Sequence, residues 1–173
     1  PDRESRREVH AFLNAIVGPA LAQHVVERQP HTATYMMKEP RGSIVWAHQD
    51  WSFCDETRLD SIMCWIPLCD VDERNGALGF VQGSHRFFDH LRGFPVPIAE
   101  TPVVRHRLRL IPYFRIVPMR AGEALIFNNR TIHGSLPNDT DHVRGAISLS
   151  LYSASEPLWS YYIKPNGRVD TLL

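Results

Sequence analysis

Residues 143–152 read Val143-Arg144-Gly145-Ala146-Ile147-Ser148-Leu149-Ser150-Leu151-Tyr152, and this stretch decides the class of fold. Val143, Ile147, Leu149 and Leu151 fall on one alternating set, with Arg144, Ala146, Ser148 and Ser150 between them. A period of two belongs to a strand, because successive side chains leave a pleated backbone on opposite faces. If the apolar set buries against an outer layer, Arg144 and two serines face an internal polar space. The reverse packing, with the apolar face inward and Arg144 in solvent, satisfies the same alternation.

Outward from this stretch the same period recurs. Strands are predicted at 31–38, 43–50, 60–67, 77–82, 114–118, 123–128, 131–135, 143–152 and 158–163. Turn sequences separate them, among them Pro40-Arg41-Gly42, Arg74-Asn75-Gly76, Arg120-Ala121-Gly122 and Pro165-Asn166-Gly167. Many short strands divided in this way indicate a mainly β sandwich or barrel. Residues 2–28 differ. Val9, Phe12, Leu13, Ile16 and Val17 follow the helical period, and Gly18-Pro19 is expected to break or kink the helix. Leu21, Val25 and Val26 would continue on a second short helix, both packing outside the β core.

The expected organisation is one domain over 1–173, with a helical part at 1–30 and a β core at 31–163. Residues 84–112 hold Phe87, Phe88, Phe94 and several prolines, and read either as a lid over a site or as a surface excursion. Within them Arg105, Arg107 and Arg109 would share one face of a strand, toward solvent or an anionic substrate.

Lys plus Arg and Asp plus Glu both number 19, so net charge points to no nucleic-acid partner. No run approaches the roughly 18 apolar residues of a membrane span. Residues 1–8 are charged and no signal-type apolar stretch follows, so a cytoplasmic location is expected. Cys54, Cys64 and Cys69 lack metal-type spacing and read as free thiols in a reducing compartment. The chain opens on Pro1 and stops at Leu173 just after a turn, as a piece of a longer protein would. Two glycosylation-type sequons, at Asn129 and Asn138, are taken as chance matches.

The chemistry-bearing residues lie on two strands. In Ile44-Val45-Trp46-Ala47-His48-Gln49-Asp50, strict alternation puts Ile44, Trp46, His48 and Asp50 on one face. An imidazole and a carboxylate two residues apart on one face can grip the same ion. By itself the pattern also fits an exposed His and Asp at a strand end. A second strand, 131–135, places Thr131, His133 and Ser135 together. Two neutral imidazoles and one carboxylate leave open positions on a six-coordinate metal, which suits iron(II) oxygen chemistry better than a closed structural zinc site. A guanidinium at Arg144 could bind a carboxylate through paired hydrogen bonds.

The ordered set His48-Gln49-Asp50, Cys64-Trp65-Ile66-Pro67-Leu68, Asn75-Gly76-Ala77-Leu78, Gly83-Ser84-His85, Gly122 to Phe127, His133-Gly134-Ser135 and Arg144 resembles the phytanoyl-CoA dioxygenase family, over roughly residues 30–153. The resemblance implies a double-stranded β-helix, also called a jelly roll, with helices on one outer side. It implies iron(II) held by His48, Asp50 and His133, with 2-oxoglutarate and dioxygen as co-substrates. Arg144, eleven residues after His133, matches the partner of the far 2-oxoglutarate carboxylate; Ser135 matches a hydroxyl that helps bind it, and Trp65 an aromatic pocket wall. It implies hydroxylation of an unactivated C–H in a small molecule or acyl-type metabolite, releasing succinate and CO2. Asp50 fits hydroxylation, since related halogenases carry a small residue there. Trp51 and Phe53 follow the ligands and are read as either substrate contacts or plain core. Two other readings stay open: a cupin-like metal enzyme that does not use 2-oxoglutarate, and a non-catalytic β-sandwich binding module.

Overall fold

The computed structural model describes residues 2–87, 90–93 and 101–172. Helix α1 (Arg3–Leu21) leads into β1 (Arg28–Lys38), β2 (Val45–His48), β3 (Ile62–Pro67) and β4 (Leu78–Val81). Two one-turn helices, α2 (Pro102–Arg105) and α3 (Arg107–Leu110), precede β5 (Phe114–Val117) and β6 (Leu125–Asn128). Then come β7 (His133–Ser135), β8 (Arg144–Ser153), β9 (Ser160–Ile163) and β10 (Val169–Leu172).

Two four-stranded antiparallel sheets result, ordered β1-β8-β3-β6 and β2-β7-β4-β5, with β9 and β10 paired in a separate hairpin. Apart from the step from β4 to β5, successive strands from β1 to β8 cross from one sheet to the other. This is the expected double-stranded β-helix. Both faces of β8 find partners. Ile147, Leu149 and Leu151 pack with Cys64 and Ile66 against Leu13, Val17 and Leu21 of α1. That burial turns the Arg144 face inward, between the sheets, where Trp65, Leu78 and Ala146 form a second core. Each fully buried aliphatic side chain such as Leu149 contributes about 1.5–3 kcal/mol, which fixes which face of β8 lies inside.

Four expectations are corrected. Pro19 lies inside α1 instead of ending it at Gly18, since only the last turn must do without its N–H. The chain leaves the helix at Leu21, so the second short helix is absent, and β1 begins at Arg28. Of the predicted apolar stripe, Leu13 and Val17 are buried, but Val9, Phe12 and Ile16 are exposed. Arg105, Arg107 and Arg109 lie on or at the ends of α2 and α3, with Pro102 in the first turn, and therefore share no strand face. Of the aromatic residues named in the 84–112 segment, Phe88 and Phe94 lie outside the described residues, while Phe87 is exposed. Among the described residues, no helix is long and apolar enough to cross a membrane. Cys54, Cys64 and Cys69 are free, and Asn129 and Asn138 are wholly buried.

Candidate metal and co-substrate site

Strand β2 does not keep the simple alternation read from its sequence. Against β7 it pairs Val45 with Ser135 and His48 with His133, three steps on one strand opposite two on the other. This extra residue is a β-bulge, and it reverses the facing of everything before it. Val45, His48 and Asp50 line the cavity between the sheets, whereas Ile44 and Trp46 line a second cavity on the back of the sheet. The expected four-residue face is thus reduced to its two polar members. Gly134 permits the close approach here: a Cβ on it would sit 2.6 Å from the Val45 carbonyl oxygen.

The bulge brings His48 opposite His133, with ring centroids 4.4 Å apart. His48 Nε2 lies 4.0 Å from Asp50 Oδ1, and His133 Nε2 lies 3.8 Å from Asp50 Oδ2. These separations are too long for hydrogen bonds, but one potential donor atom from each residue lies within 4.8 Å of the other two, close enough to share an ion. The tautomers are set by the backbone. His48 Nδ1 is 2.8 Å from the Trp46 carbonyl and His133 Nδ1 is 3.0 Å from that of Thr131. A carbonyl only accepts, so each Nδ1 carries the proton and each Nε2 presents a lone pair, the usual arrangement of a ligating histidine. Burial, with the His133 imidazole beside it, pushes the His48 pKa down to about 4, so this ring is neutral and able to ligate at ordinary pH. Buried Asp50 Oδ2 has no hydrogen-bond partner among the described residues. A cation satisfies all three atoms; a hydrogen-bond donor would satisfy only the carboxylate. The residues fit a divalent metal, and two nitrogens with one carboxylate fit iron(II).

Asp50 is braced through its backbone. Its N–H donates to the Asn129 carbonyl at 3.1 Å, and its carbonyl accepts from Arg92 Nε. Arg92 is buried and also clasps both Glu56 oxygens, at 2.7 and 2.9 Å. Neither Arg92 nor Glu56 stands out in the sequence, since nothing local marks them as a pair.

The same cavity, of about 390 Å³, continues past Ser135 at the end of β7 and reaches the other sheet at Trp65, Arg144 and Lys38. The Arg144 guanidinium lies over the Trp65 ring at 5.4 Å, and its Nε and Nη1 have no hydrogen-bond partner among the described residues. A carboxylate supplies the acceptors this fork lacks. Lys38, buried and opposite Arg144 in the β1–β8 register, was missed by the sequence reading. A lysine at a strand end reads as exposed until the partner strand is known. Trp51 and Phe53 are placed elsewhere: Trp51 lines a smaller cavity of about 110 Å³, and Phe53 meets the His31 ring at 4.8 Å.

The sequence profile of the phytanoyl-CoA dioxygenase family (PhyH) matches residues 2–146. This chain belongs to that family. It is 29% identical over 136 residues to the probable alpha-ketoglutarate-dependent hypophosphite dioxygenase of Stutzerimonas stutzeri, covering 73% of this chain and 45% of that protein. It is 30% identical over 132 residues to phytanoyl-CoA dioxygenase domain-containing protein 1 of Bos taurus, with the same coverage of 73% and 45%. The chain therefore spans about half the length of the curated relatives it matches. Among solved structures, the non-haem alpha-ketoglutarate-dependent carbocyclase SnoK from nogalamycin biosynthesis superposes with a TM-score of 0.61 at 25% identity, covering 80% of this chain and 56% of SnoK. The family's fold and the two-sheet architecture agree.

Proposed function

We propose that this chain is the iron(II)- and 2-oxoglutarate-binding part of a dioxygenase that hydroxylates an unactivated C–H bond of a small molecule or acyl-type metabolite. One observation carries the reading: a cavity with three clustered metal-type donor atoms at one end holds, at the other, a buried guanidinium whose Nε and Nη1 have no hydrogen-bond partner among the described residues. His48, Asp50 and His133 would hold iron(II), while Arg144, Ser135 and the Trp65 wall would hold the far carboxylate of 2-oxoglutarate. Iron(II) bound there supplies the redox chemistry, coupling the oxidative decarboxylation of 2-oxoglutarate to succinate and CO2 with insertion of one dioxygen atom into the substrate C–H. The chain's own share is positional. Backbone carbonyls hold both imidazoles in the ligating tautomer, Arg92 and Asn129 fix the Asp50 backbone, and Phe80 and Phe127 pack on His133. A cupin-like enzyme without 2-oxoglutarate has no use for the buried Arg144, and a binding module has none for either end.

Hypophosphite and nogalamycin biosynthesis, which relatives' names mention, are chemically far apart. Substrate choice is accordingly assigned to the loops around the core, at 51–58 and 84–112, of which 88–89 and 94–100 lie outside the described residues. We assign the chain to the cytoplasm, where Cys54, Cys64 and Cys69 stay reduced, and give it small-molecule and not nucleic-acid partners. Anaerobic addition of iron(II) and then 2-oxoglutarate to the protein is expected to give the weak visible charge-transfer band of their chelate. Succinate release should be lost in His48→Ala. No band in the wild type, or full turnover in His48→Ala, sinks the reading.

A further inference from the structure

Lys38 ends β1 directly opposite Arg144 and is 7% exposed. Its ammonium donates to Ser135 Oγ at 2.8 Å, to the Ser43 carbonyl at 3.0 Å and to the Leu136 carbonyl at 2.5 Å. Three protons meet three acceptors, so the ammonium is fully engaged. The side-chain stem is equally confined. A Cβ on Gly76 would lie 2.8 Å from Lys38 Cδ, and one on Gly42 would lie 3.1 Å from its Cγ. Gly76 also has φ of +90°, so the backbone there is open to glycine and closes over the lysine.

Ser135 is where this arrangement meets the cavity. An ammonium has no lone pair, so Ser135 Oγ must be the acceptor of that contact. Its own proton is then turned away from Lys38, and among the described residues no acceptor is recorded for it. Neither Lys38 nor Arg144 has a carboxylate ion-pair partner among the described residues. Two buried cations and a hydroxyl with a free proton thus converge on one end of the cavity.

We propose that Lys38 is a positioning residue for the co-substrate: it fixes the rotor of Ser135 so that the hydroxyl donates to the carboxylate bound by Arg144, and it adds a second positive charge behind that contact. This rests on the iron and 2-oxoglutarate reading above and adds a residue to it. Because its three donors are already used, Lys38 acts through Ser135 and not by direct contact. A lysine serving only to pin β1 to the neighbouring turn would affect folding and leave 2-oxoglutarate affinity unchanged.

The test is an anaerobic titration of the iron(II)-loaded protein with 2-oxoglutarate, read by the charge-transfer band, in wild type, Lys38→Met, Ser135→Ala and the double variant. Each single change is expected to weaken 2-oxoglutarate binding roughly ten- to hundredfold, the range for losing a charge-supported hydrogen bond. The double variant should be no weaker than the worse single one, because both remove the same contact. Iron(II) affinity should stay within about twofold of wild type, since His48, Asp50 and His133 are untouched. Should Lys38→Met fail to fold, Lys38→Gln replaces it, keeping a neutral donor for the carbonyls while removing the charge. Wild-type 2-oxoglutarate affinity in the foldable Lys38 variant, or additive losses in the double variant, overturns the inference and leaves the iron reading standing. No band in the wild type itself overturns both.

Discussion

At the His48 and His133 end of the cavity the polar side chains are suited to a cation; at the Arg144 end they are suited to an anion. His48 and His133 already give their Nδ1 protons to backbone carbonyls, so what they and Asp50 turn inward is lone pairs. Arg144, Lys38 and Ser135 turn inward protons and positive charge. Buried polar groups left in this state cost stability unless a ligand of the opposite kind completes them. The two ends complete each other only through something that spans them: a metal and a diacid that chelates it. Separate substitutions should therefore damage separable steps.

The largest effect belongs to the metal end. Ala at His48 or His133, or Asn at Asp50, should abolish stoichiometric iron(II) binding and lower succinate release by more than about a hundredfold, beyond the loss expected from outer-shell partners alone. Thermal stability should change little, because the lost side chains border a cavity. Iron titration with a melting curve checks both. Retained iron in any of the three breaks the comparison.

Next comes the brace behind Asp50. Arg92 and Glu56 form an ion pair with side chains 1% and 10% exposed, and removing one partner leaves an uncompensated buried charge. Arg92→Met should cost about 3–5 kcal/mol in urea unfolding. Adding Glu56→Gln should recover part of this, since it removes the stranded carboxylate. The same variant should weaken iron(II) binding, because Arg92 holds the Asp50 carbonyl. Unchanged stability would show that water reaches the pair.

Arg144→Ala follows at the opposite end. The half-saturating 2-oxoglutarate concentration should rise about a hundredfold, as loss of a bidentate charged contact implies, while iron(II) affinity holds. A parallel fall in iron affinity would mean that the two ends are not separable.

These positions differ in how far the sequence reveals them. The alternation of 143–152 identifies a strand, and the burial of Ile147, Leu149 and Leu151 under α1 then decides which way Arg144 turns. His48 and Asp50 come from their spacing, and their shared facing survives because the bulge lies before them, between Val45 and His48. Trp46 is misplaced for the same reason: a bulge depends on the partner strand, and β7 is some 85 residues further along the chain. Lys38 and the Arg92–Glu56 pair are illegible for a related cause. Each takes its role from groups distant in sequence, Ser135 for the first and Asp50 for the second, and its own neighbours carry no sign of it.

The smallest predicted effect is also the most selective for the anion end. Burial, with the Arg144 charge beside it, lowers the Lys38 pKa from 10.5 to about 8. In the ligand-free protein Lys38 then loses its proton at about pH 8, while the unfolded chain keeps it to 10.5. The unfolded state binds more protons between those values, so this group's contribution makes the fold more stable as pH rises through the window and less stable as pH falls. Ligand affinity has the opposite slope. A bound carboxylate favours the ammonium, so 2-oxoglutarate binding should be flat below about pH 7 and weaken by up to about tenfold per unit above pH 8. Arg144, Glu39, Asp50, His48 and His133 also line this cavity, and buried Cys54 and Cys64, with pKa values raised to about 11, destabilise the fold as pH climbs past 9. The wild type minus Lys38→Met difference removes those shared contributions. That difference should show stability rising and affinity falling over the same interval, and two slopes of the same sign would assign the titration to some other group.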